Sequence, residues 1–421
     1  MSIEQIYSVF TAHPVVTTDS RDCPEGSMFF ALKGETFNGN AYAGAALEKG
    51  CACAVVDEAQ YAVAGDERYI LVDDVLTTLQ QLARHHRRVL GTPIVGVTGT
   101  NGKTTTKELL AAVLSRKFNV LYTQGNFNNH IGVPKTLLQL RPEHEVAVVE
   151  MGANHPGEIR TLVNIAEPDC GLITNVGKAH LLGFGSFEGV IRTKGELYDF
   201  LREHEGLAFV NQNNPYLCGI AEGLQRKDYV SGCVTDCSPF LSFEWEGHAV
   251  QTQLIGAYNL DNALAAATVG RHFGVSDEDI CTALSEYAPS NNRSQFTVTP
   301  HNHLVVDTYN ANPTSMAAAL DNFRQMKAEG KMCILGDMKE LGEVSRDEHQ
   351  RVVEQLKAMD DVADVWLVGE EFAATQRPDH FRVFADVEAV KAAIAADRPT
   401  QRTILIKGSN GTKLFQLPKE L

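Results

Sequence analysis

The chain lacks any apolar run that approaches the roughly 20 residues needed to cross a bilayer. Its first residues, Met1 to Ile6, have neither the basic segment nor the apolar segment of a secretory signal peptide. The nine cysteines are odd in number and irregularly spaced, so they do not form a disulfide framework. We therefore expect a cytoplasmic protein without membrane insertion.

Positive charge is also scarce. The 37 Lys and Arg residues are outnumbered by 53 Asp and Glu residues, which gives a net charge of −16. This balance argues against a general nucleic-acid-binding surface. Any anionic ligand must therefore be held by local positive groups and not by the overall field of the protein.

A length of 421 residues with 44% hydrophobic residues predicts two or three globular domains. Residues 1–88 read as a small α/β domain and residues 89–297 as a central domain with a mainly parallel sheet. Residues 298–421 alternate strands and helices in the manner of a doubly wound, Rossmann-like domain. Four strands are predicted there: His303–Asp307, Met332–Leu335, Val365–Val368 and Thr403–Lys407.

One stretch of the central domain has the pattern of a phosphate-binding loop. A short apolar strand, Ile94 to Val97, leads through a glycine-rich turn into a predicted helix. The turn consists of Gly99, Thr100, Asn101, Gly102, Lys103, Thr104 and Thr105. Val97 replaces the first glycine of the general motif, so the loop is a G-x-x-G-K-T variant, and a chance glycine turn is the alternative. The pattern favours a site where Lys103 reaches the β- and γ-phosphates of a nucleotide and Thr104 binds Mg²⁺.

Two further strand ends carry polar groups. Glu150 ends the apolar strand that begins at Glu145, and ligands of open α/β sheets bind at the carboxyl ends of strands. Glu150 is therefore expected to bind the Mg²⁺ of the nucleotide, with a surface carboxylate as the alternative. The amide-rich segment Gln124–His130 follows another strand and is either a ligand-binding loop or an ordinary Asx turn.

Other candidates have ordinary structural interpretations. A lone histidine such as His180 is usually structural, and a lysine near a helix start such as Lys194 is usually solvated. Asn259 and Asn262 begin a predicted helix, where asparagine is a common cap, although an amide pair also suits the edge of adenine. These residues gain a role only in combination.

That combination resembles a known family. The phosphate loop together with Glu150, His180, Lys194 and Asn259 is similar to the Mur ligases, the ATP-dependent amide-bond-forming enzymes of peptidoglycan assembly. Within this family, the segments Met151–Glu158, Tyr309–Met316, Leu335–Gly342 and Lys407–Ser409 resemble the member that adds D-alanyl-D-alanine to UDP-N-acetylmuramoyl-tripeptide. The resemblance covers nearly the whole chain and implies three domains, which bind the UDP substrate, ATP and the incoming dipeptide in chain order. We expect the protein to be a monomer.

The resemblance also assigns site residues. It places ATP against the phosphate loop, with Asn259 and Asn262 at adenine and with Arg293 and Asp307 at the phosphates and ribose. It implies Mg²⁺ on Thr104 and Glu150, and a second Mg²⁺ near His180 and a Lys194 that CO₂ has carbamylated. It assigns the UDP-linked substrate to Ser20, Arg21, Asn126, Asn128 and Asn129. The remaining candidates, for the dipeptide pocket, are Asn310, Asn312 and Asp337.

Three alternatives stay open at this point. The chain could add a different amino acid, it could be similar to folylpolyglutamate synthase, or it could be a nucleotide-binding module without catalytic activity. The Asn310-Ala-Asn-Pro segment argues against the ligases that add acidic amino acids. A simple binding module would have no reason to combine Glu150, His180 and Lys194.

Overall fold

A computed structural model of the chain describes residues 1–289 and 293–421. Residues 290–292, part of the segment that precedes Arg293, lie outside the described residues. Within the described ranges, no helix is both long and apolar enough to span a membrane. The architecture is mixed α/β with three mainly parallel sheets, as the sequence predicts.

The first sheet contains four parallel strands in the order β1-β2-β3-β4. The elements are α1 Ile3–Ala12, β1 Val16–Thr17, β2 Met28–Phe30, α2 Ala43–Glu48, β3 Cys53–Val56, β4 Tyr69–Leu71 and α3 Val75–Leu90. Asp74 caps α3 through its side chain, and Gly91 ends the helix in the left-handed conformation.

The second sheet has six parallel strands in the order β10-β9-β8-β5-β7-β6. Its first elements are β5 Ile94–Thr98, α4 Lys103–Leu114, β6 Val120–Tyr122, α5 Gly132–Leu137, β7 Val146–Glu150, α6 Glu158–Ala166, β8 Cys170–Ile173, α7 Leu181–Phe184 and α8 Phe187–Glu203. The last elements of this sheet are β9 Leu207–Val210, α9 Pro215–Ile220 and β10 Gln225–Asp228. A small antiparallel sheet follows, with strands β11 Gly232–Cys237, β12 Leu241–Trp245 and β13 His248–Gln251. Two helices, α10 Leu260–His272 and α11 Asp277–Glu286, complete this part of the chain.

The central strand β5 carries the phosphate loop, and its burial is what fixes the loop in space. Both faces of β5 are buried, which is why its sequence is an almost continuous apolar run. Ile94 belongs to a core shared with α1 and α3 of the first sheet, whereas Val95 and Val97 belong to a core shared with α4 and α10. Each such side chain contributes about 1.5–3 kcal/mol by burial. The first and second sheets therefore share one hydrophobic core.

The third sheet has six strands in the order β14-β15-β19-β16-β17-β18, and only the β14–β15 pair is antiparallel. Its elements are β14 Gln295–Val298, β15 His303–Asp307, α12 Pro313–Gln325, β16 Lys331–Gly336, α13 Ser345–Lys357, β17 Val362–Val368, α14 Glu370–Ala373, β18 Arg382–Phe384, α15 Val387–Ala396 and β19 Thr403–Lys407.

The sequence predicts four strands for this third sheet, but the structure has six, so the predicted number was wrong. The missed strands, β14 and β18, lie at the two edges of the sheet and have no fully buried residue. Edge strands of this kind lack the apolar run from which strands are recognised in a sequence. The strand β14 also lies across the predicted domain limit between residues 297 and 298.

Candidate active site

The phosphate loop joins β5 to α4, and two glycines make this turn possible. Gly99 has a φ of +143°, and a Cβ atom there would lie 2.0 Å from Thr174 Oγ1. Gly102 has a φ of +78°, and a Cβ atom there would lie 2.6 Å from Asn262 Oδ1. Any side chain would both strain the backbone and collide with its neighbours. The predicted arrangement of strand, glycine turn and helix is confirmed.

The end of β8 holds the loop in position, which the sequence did not reveal. The Asn175 side chain accepts a hydrogen bond from the Asn101 N–H at 3.0 Å and donates one to the Asn101 carbonyl at 3.0 Å. The Thr174 hydroxyl donates to the same carbonyl at 2.6 Å, and the Thr100 N–H donates to the Asn175 carbonyl. These hydrogen bonds order the loop, which reduces the entropic cost of nucleotide binding.

Lys103 begins α4 and lies inside the loop. Its ammonium donates to the carbonyls of Gly99 at 2.8 Å and Thr100 at 3.0 Å. The pKa of Lys103 is lowered to about 8, chiefly by burial; the carboxylate of Glu150 opposes this shift and the positive charge of Arg293 adds to it. Neutral carbonyls are weak partners for a buried cation, so an anionic phosphate would be a better one.

Glu150 provides the clearest sign of a metal site. Its Oε1 atom accepts a hydrogen bond from Asn128 Nδ2 at 2.8 Å, whereas its Oε2 atom is buried without a hydrogen-bond partner among the described residues. A buried carboxylate oxygen without a partner is costly unless a cation binds it. Thr104 lines the same cavity as Glu150. These oxygen donors fit Mg²⁺.

No group of three or more His, Cys, Asp and Glu side chains that could hold a metal occurs in residues 1–289 and 293–421. This does not conflict with Mg²⁺, which is usually bound by one or two carboxylates, with water and substrate phosphates as the other ligands.

His180 lies at the edge of the cavity in the left-handed backbone conformation, with a φ of 50°. Its Nδ1 atom forms a short contact with the carboxylate of Glu340, a residue that follows β16 of the third sheet. Burial lowers the pKa of His180, although Glu340 acts in the opposite direction. A histidine that binds a metal through one ring nitrogen commonly donates its other N–H to a carboxylate. The Glu340 contact fits the predicted metal role and was not foreseen.

Lys194 does not line the cavity but lies directly behind its wall. The side chain is buried in α8, its Nζ atom donates to the Ala153 carbonyl at 3.2 Å, and the ammonium lies 5.3 Å from the centre of the Phe184 ring. No carboxylate in the described part of the chain forms an ion pair with it. Burial, followed by the positive charge of Lys103, lowers the pKa of Lys194 well below its usual value. The interpretation as a solvated lysine is wrong.

Asn259 and Asn262 pack against the phosphate loop. Asn259 occupies the N-cap position of α10 but makes no capping hydrogen bond through its side chain, which donates instead to the Ile255 carbonyl. Asn262 donates to Asn259 Oδ1 at 2.8 Å and accepts from the Thr106 hydroxyl at 3.0 Å. The amide pair thus supports α4, and its contact with adenine stays a prediction.

The third sheet contributes a charged edge to the cavity. The Arg293 guanidinium lies 3.7 Å from the centre of the Tyr309 ring, and its buried Nε atom has no described hydrogen-bond partner. At the end of β15, Asp307 Oδ2 accepts from Lys407 Nζ at 2.5 Å. Lys407 is buried and lines the cavity, and sequence reasoning assigned it no role beyond the resemblance.

These groups surround one cavity of about 720 Å³. Leu76 and Gln80 of α3 line one side, the phosphate loop and the end of β7 line the floor, and the end of β15 with the start of α12 lines the other side. Most predicted site residues meet here: Thr100, Asn101, Gly102, Lys103, Thr104, Thr105, Asn126, Asn128, Asn129, Glu150, His180, Asn259, Asn262, Arg293, Asp307 and Asn310.

Six predicted residues do not line this cavity. The Gly99 carbonyl accepts from Lys103, Lys194 lies behind the wall at Ala153, and Asn312 turns its side chain to Asn101. Asp337 lines a separate cavity of about 460 Å³, where its carboxylate accepts from the N–H groups of Glu371 and Phe372. The structure therefore does not bring Asp337 to Asn310.

The remaining two residues, Ser20 and Arg21, lie in the loop after β1. The Arg21 side chain is 88% exposed and forms a bidentate pair with Asp19, with distances of 2.9 and 2.8 Å. Their role at a UDP group stays a prediction. Two of the amides in the cavity also have local roles, because Asn128 orients Glu150 and Asn129 accepts from the N–H groups of Ile131 and Gly132 at the start of α5.

Three family models match successive regions of the chain. Residues 14–87 match the Mur ligase family, catalytic domain, residues 97–270 match the Mur ligase middle domain, and residues 292–410 match the Mur ligase, glutamate ligase domain. The chain is 35% identical to the UDP-N-acetylmuramoyl-tripeptide–D-alanyl-D-alanine ligase of Bacillus subtilis (strain 168) over 429 residues, which covers 96% of this chain and 92% of that protein.

Solved structures agree with the sequence comparison. MurF from Acinetobacter baumannii has a TM-score of 0.87 at 32% identity, covering 96% of this chain and 92% of that one. The MurF ligase from Thermotoga maritima in complex with ADP has a TM-score of 0.85 at 27% identity and covers 96% of both chains. The sequence and fold comparisons agree, and the chain belongs to the Mur ligase family.

Proposed function

We propose that this chain is an ATP-dependent ligase that joins D-alanyl-D-alanine to UDP-N-acetylmuramoyl-tripeptide through an acyl-phosphate intermediate. The relative from Bacillus subtilis with this name matches it over 96% of the chain. The three alternatives are less well supported, because the similarity to this relative extends over nearly the full length and includes the C-terminal part that would bind the amine. We also propose that the protein is a cytoplasmic monomer.

The observation that carries the proposal is the composition of the large cavity. All three parts of the chain line it, and the phosphate loop opens into it together with the carboxylate of Glu150. Amide-bond formation from a carboxylate requires a nucleotide, an acyl donor and an amine in one place. A cleft bounded by three regions, each of which holds one substrate, supplies this proximity.

The residues present fit Mg²⁺ on observations of this chain. Thr104 and Glu150 would hold one ion, since Glu150 Oε2 is buried without a hydrogen-bond partner among the described residues. His180 would take part in a second site through Nε2, with Glu340 on its other ring nitrogen. Bound Mg²⁺ would neutralise phosphate charge and polarise the phosphoryl group. We further propose that a carbamylated Lys194 contributes to this second site.

The phosphate loop acts in the first step, the transfer of the γ-phosphoryl group. Lys103 moves its donors from the loop carbonyls to the phosphate oxygens and stabilises the charge that spreads over them. The carboxylate of the tripeptide attacks the γ-phosphorus, the bond from that phosphorus to the ADP oxygen breaks, and an acyl phosphate results. Asn175 and Thr174 support the loop through their hydrogen bonds to the Asn101 main chain.

The amine of the dipeptide then attacks the acyl carbon. A tetrahedral intermediate forms, the bond from carbon to the phosphate oxygen breaks, and phosphate leaves. Arg293 and Lys407 lie at the edge of the cavity nearest the third sheet, where their charges favour anionic groups. A base must remove a proton from the incoming ammonium, and at least three carboxylates line the cavity: Glu150, Glu158 and Asp307.

Phosphate release tests this function. Purified protein with ATP, Mg²⁺ and UDP-N-acetylmuramoyl-tripeptide should release phosphate when D-alanyl-D-alanine is present, and not with single amino acids or with folate and glutamate. Release with a single amino acid would assign the chain to another reaction of the same family. If none of these mixtures released phosphate, a nucleotide-binding module would be the better account.

A further inference from the structure

Two asparagines from distant parts of the chain face each other at the edge of the cavity. Asn101 lies in the phosphate loop, and Asn312 lies directly before α12 of the third sheet. Asn312 Nδ2 donates to Asn101 Oδ1 at 2.7 Å, and Asn101 Nδ2 lies 3.4 Å from Asn312 Oδ1. The two amides thus form a reciprocal pair, and Asn312 is buried.

The main chain of Asn101 is held in the phosphate loop by hydrogen bonds to the end of β8. Its N–H and carbonyl are both bonded to Asn175, and the carbonyl also accepts from Thr174. The direction of its side chain therefore depends on the conformation of the loop. A change in the loop on nucleotide binding would move the amide that Asn312 contacts.

Asn312 has a second task, which can be separated from the first. Its Oδ1 atom accepts from the Ser315 N–H at 2.9 Å, and its own N–H donates to the Ser315 hydroxyl at 3.1 Å, so that it caps α12. Only the oxygen is needed for the cap, because the cap accepts a backbone N–H. The Nδ2 group is left for Asn101.

The start of α12 also forms a wall of the cavity. Asn310, Thr314 and Ser315 line it, and the Thr314 hydroxyl accepts from the Lys178 N–H of the central region at 3.2 Å. The Asn101–Asn312 pair therefore joins the loop that would hold the nucleotide to the segment that would hold the amine. Separation of the two regions would break the hydrogen bonds between the two amides and expose both groups to water.

We infer that Asn101 and Asn312 are positioning residues that couple the conformation of the phosphate loop to the placement of the C-terminal region over the cavity. This inference rests on the proposed ligase function and adds a route by which nucleotide binding organises the amine site. Such coupling is reciprocal, so placement of the C-terminal region also favours the nucleotide-binding conformation of the loop.

Two substitutions remove the pair with little other change. Asn312→Ser keeps an oxygen that caps α12 but removes Nδ2, since serine is also a good N-cap. Asn101→Ala removes the other amide and leaves the main-chain hydrogen bonds of the loop. The matched control is Lys178→Ala. Lys178 Nζ lies 3.3 Å from Glu348, so this pair joins the same two regions, but the lysine side chain is 48% exposed.

Each single variant should lower kcat/KM for the dipeptide about tenfold, as expected for the loss of a partly buried amide pair. The kcat/KM of the double variant should be no lower than that of the less active single variant, because both substitutions remove the same interaction. Because the coupling is reciprocal, the affinity for a non-hydrolysable ATP analogue should fall by no more than the same factor, whereas the melting temperature should stay near the wild-type value. Lys178→Ala should change kcat/KM less than about twofold.

Small-angle scattering supplies a readout that does not depend on catalysis. With the ATP analogue and the UDP-tripeptide, the wild-type protein should become more compact, and Asn101→Ala/Asn312→Ser should do so to a lesser extent. Equal compaction of the two proteins, or additive losses in the double variant, would overturn the coupling. Failure of the wild-type protein to release phosphate with the dipeptide would instead reject the proposed function, and the scattering comparison would still decide the role of the pair.

Discussion

Replacement of Lys194 by alanine is expected to abolish ligation while the protein still binds ATP. The side chain is 2% exposed, and no described carboxylate pairs with it. A charged lysine in such a place is unfavourable, and burial lowers the pKa of Lys194, which favours the neutral amine. A neutral amine can attack CO₂ to form a carbamate, with a new N–C bond and release of one proton.

The position of Lys194 explains why this change of charge would matter. Its Nζ atom contacts the carbonyl of Ala153, three residues beyond Glu150. An anion at this point would add negative charge beside the predicted Mg²⁺ ligands. We expect Lys194→Ala to lower kcat by roughly 10³-fold or more, in the range found when a group that organises charge in a transition state is removed.

Three measurements check this prediction. The turnover of Lys194→Ala should be lost, its affinity for an ATP analogue should be close to that of the wild type, and ¹³CO₂ should give a carbamate NMR signal in the wild type alone. Lys331→Met is the control, because Lys331 is equally buried but pairs with Asp361 in the third sheet. Full activity of Lys194→Ala would contradict the carbamate role.

Lys103→Met is expected to have the second large effect. Methionine keeps most of the apolar stem and removes the ammonium that lies among the loop carbonyls. We expect kcat to fall by about 10³-fold, because Lys103 is the cation placed to stabilise charge on the transferring phosphoryl group. ATP affinity should also fall, since the same ammonium would contact the bound phosphates.

Lys107→Met provides the matched control for this prediction. Lys107 lies one turn later in α4 and is 1% exposed, but it pairs with Glu108 at 3.3 Å and lies over the Tyr122 ring, away from the cavity lining. Loss of this buried lysine should lower stability more than activity. Comparable losses of turnover in both variants would show that the effect of Lys103→Met is a general effect of removing a buried charge.

The local parts of the site could be predicted from sequence because each depends on neighbouring residues. The apolar run of β5, the glycines at positions 99 and 102 and the helix that begins at Lys103 specify the phosphate loop over a few residues. Glu150 was predicted as a metal ligand for the same reason, as an acid at the end of a strand, and its place in the cavity is confirmed. Lys194 and His180 became candidates only through a family resemblance, and their roles stay predictions.

Contacts between distant residues could not be predicted. Asn101 and Asn312 are 211 residues apart, and no local pattern indicates that their amides meet. The Lys407–Asp307 pair, with a separation of 100 residues, was missed for the same reason. Asp337 was expected near the dipeptide, but the turn after β16 directs its carboxylate to the start of α14. Such outcomes depend on the packing of the sheets, which a single sequence does not specify.

Transfer of an oxygen atom from substrate to phosphate is the most direct test of the proposed reaction. The UDP-tripeptide would carry ¹⁸O in the carboxylate that is to be joined, and the phosphate released from ATP would be analysed by mass spectrometry. An acyl phosphate predicts one ¹⁸O atom in the phosphate for each amide formed with D-alanyl-D-alanine. Amide formation with release of unlabelled phosphate would contradict this mechanism.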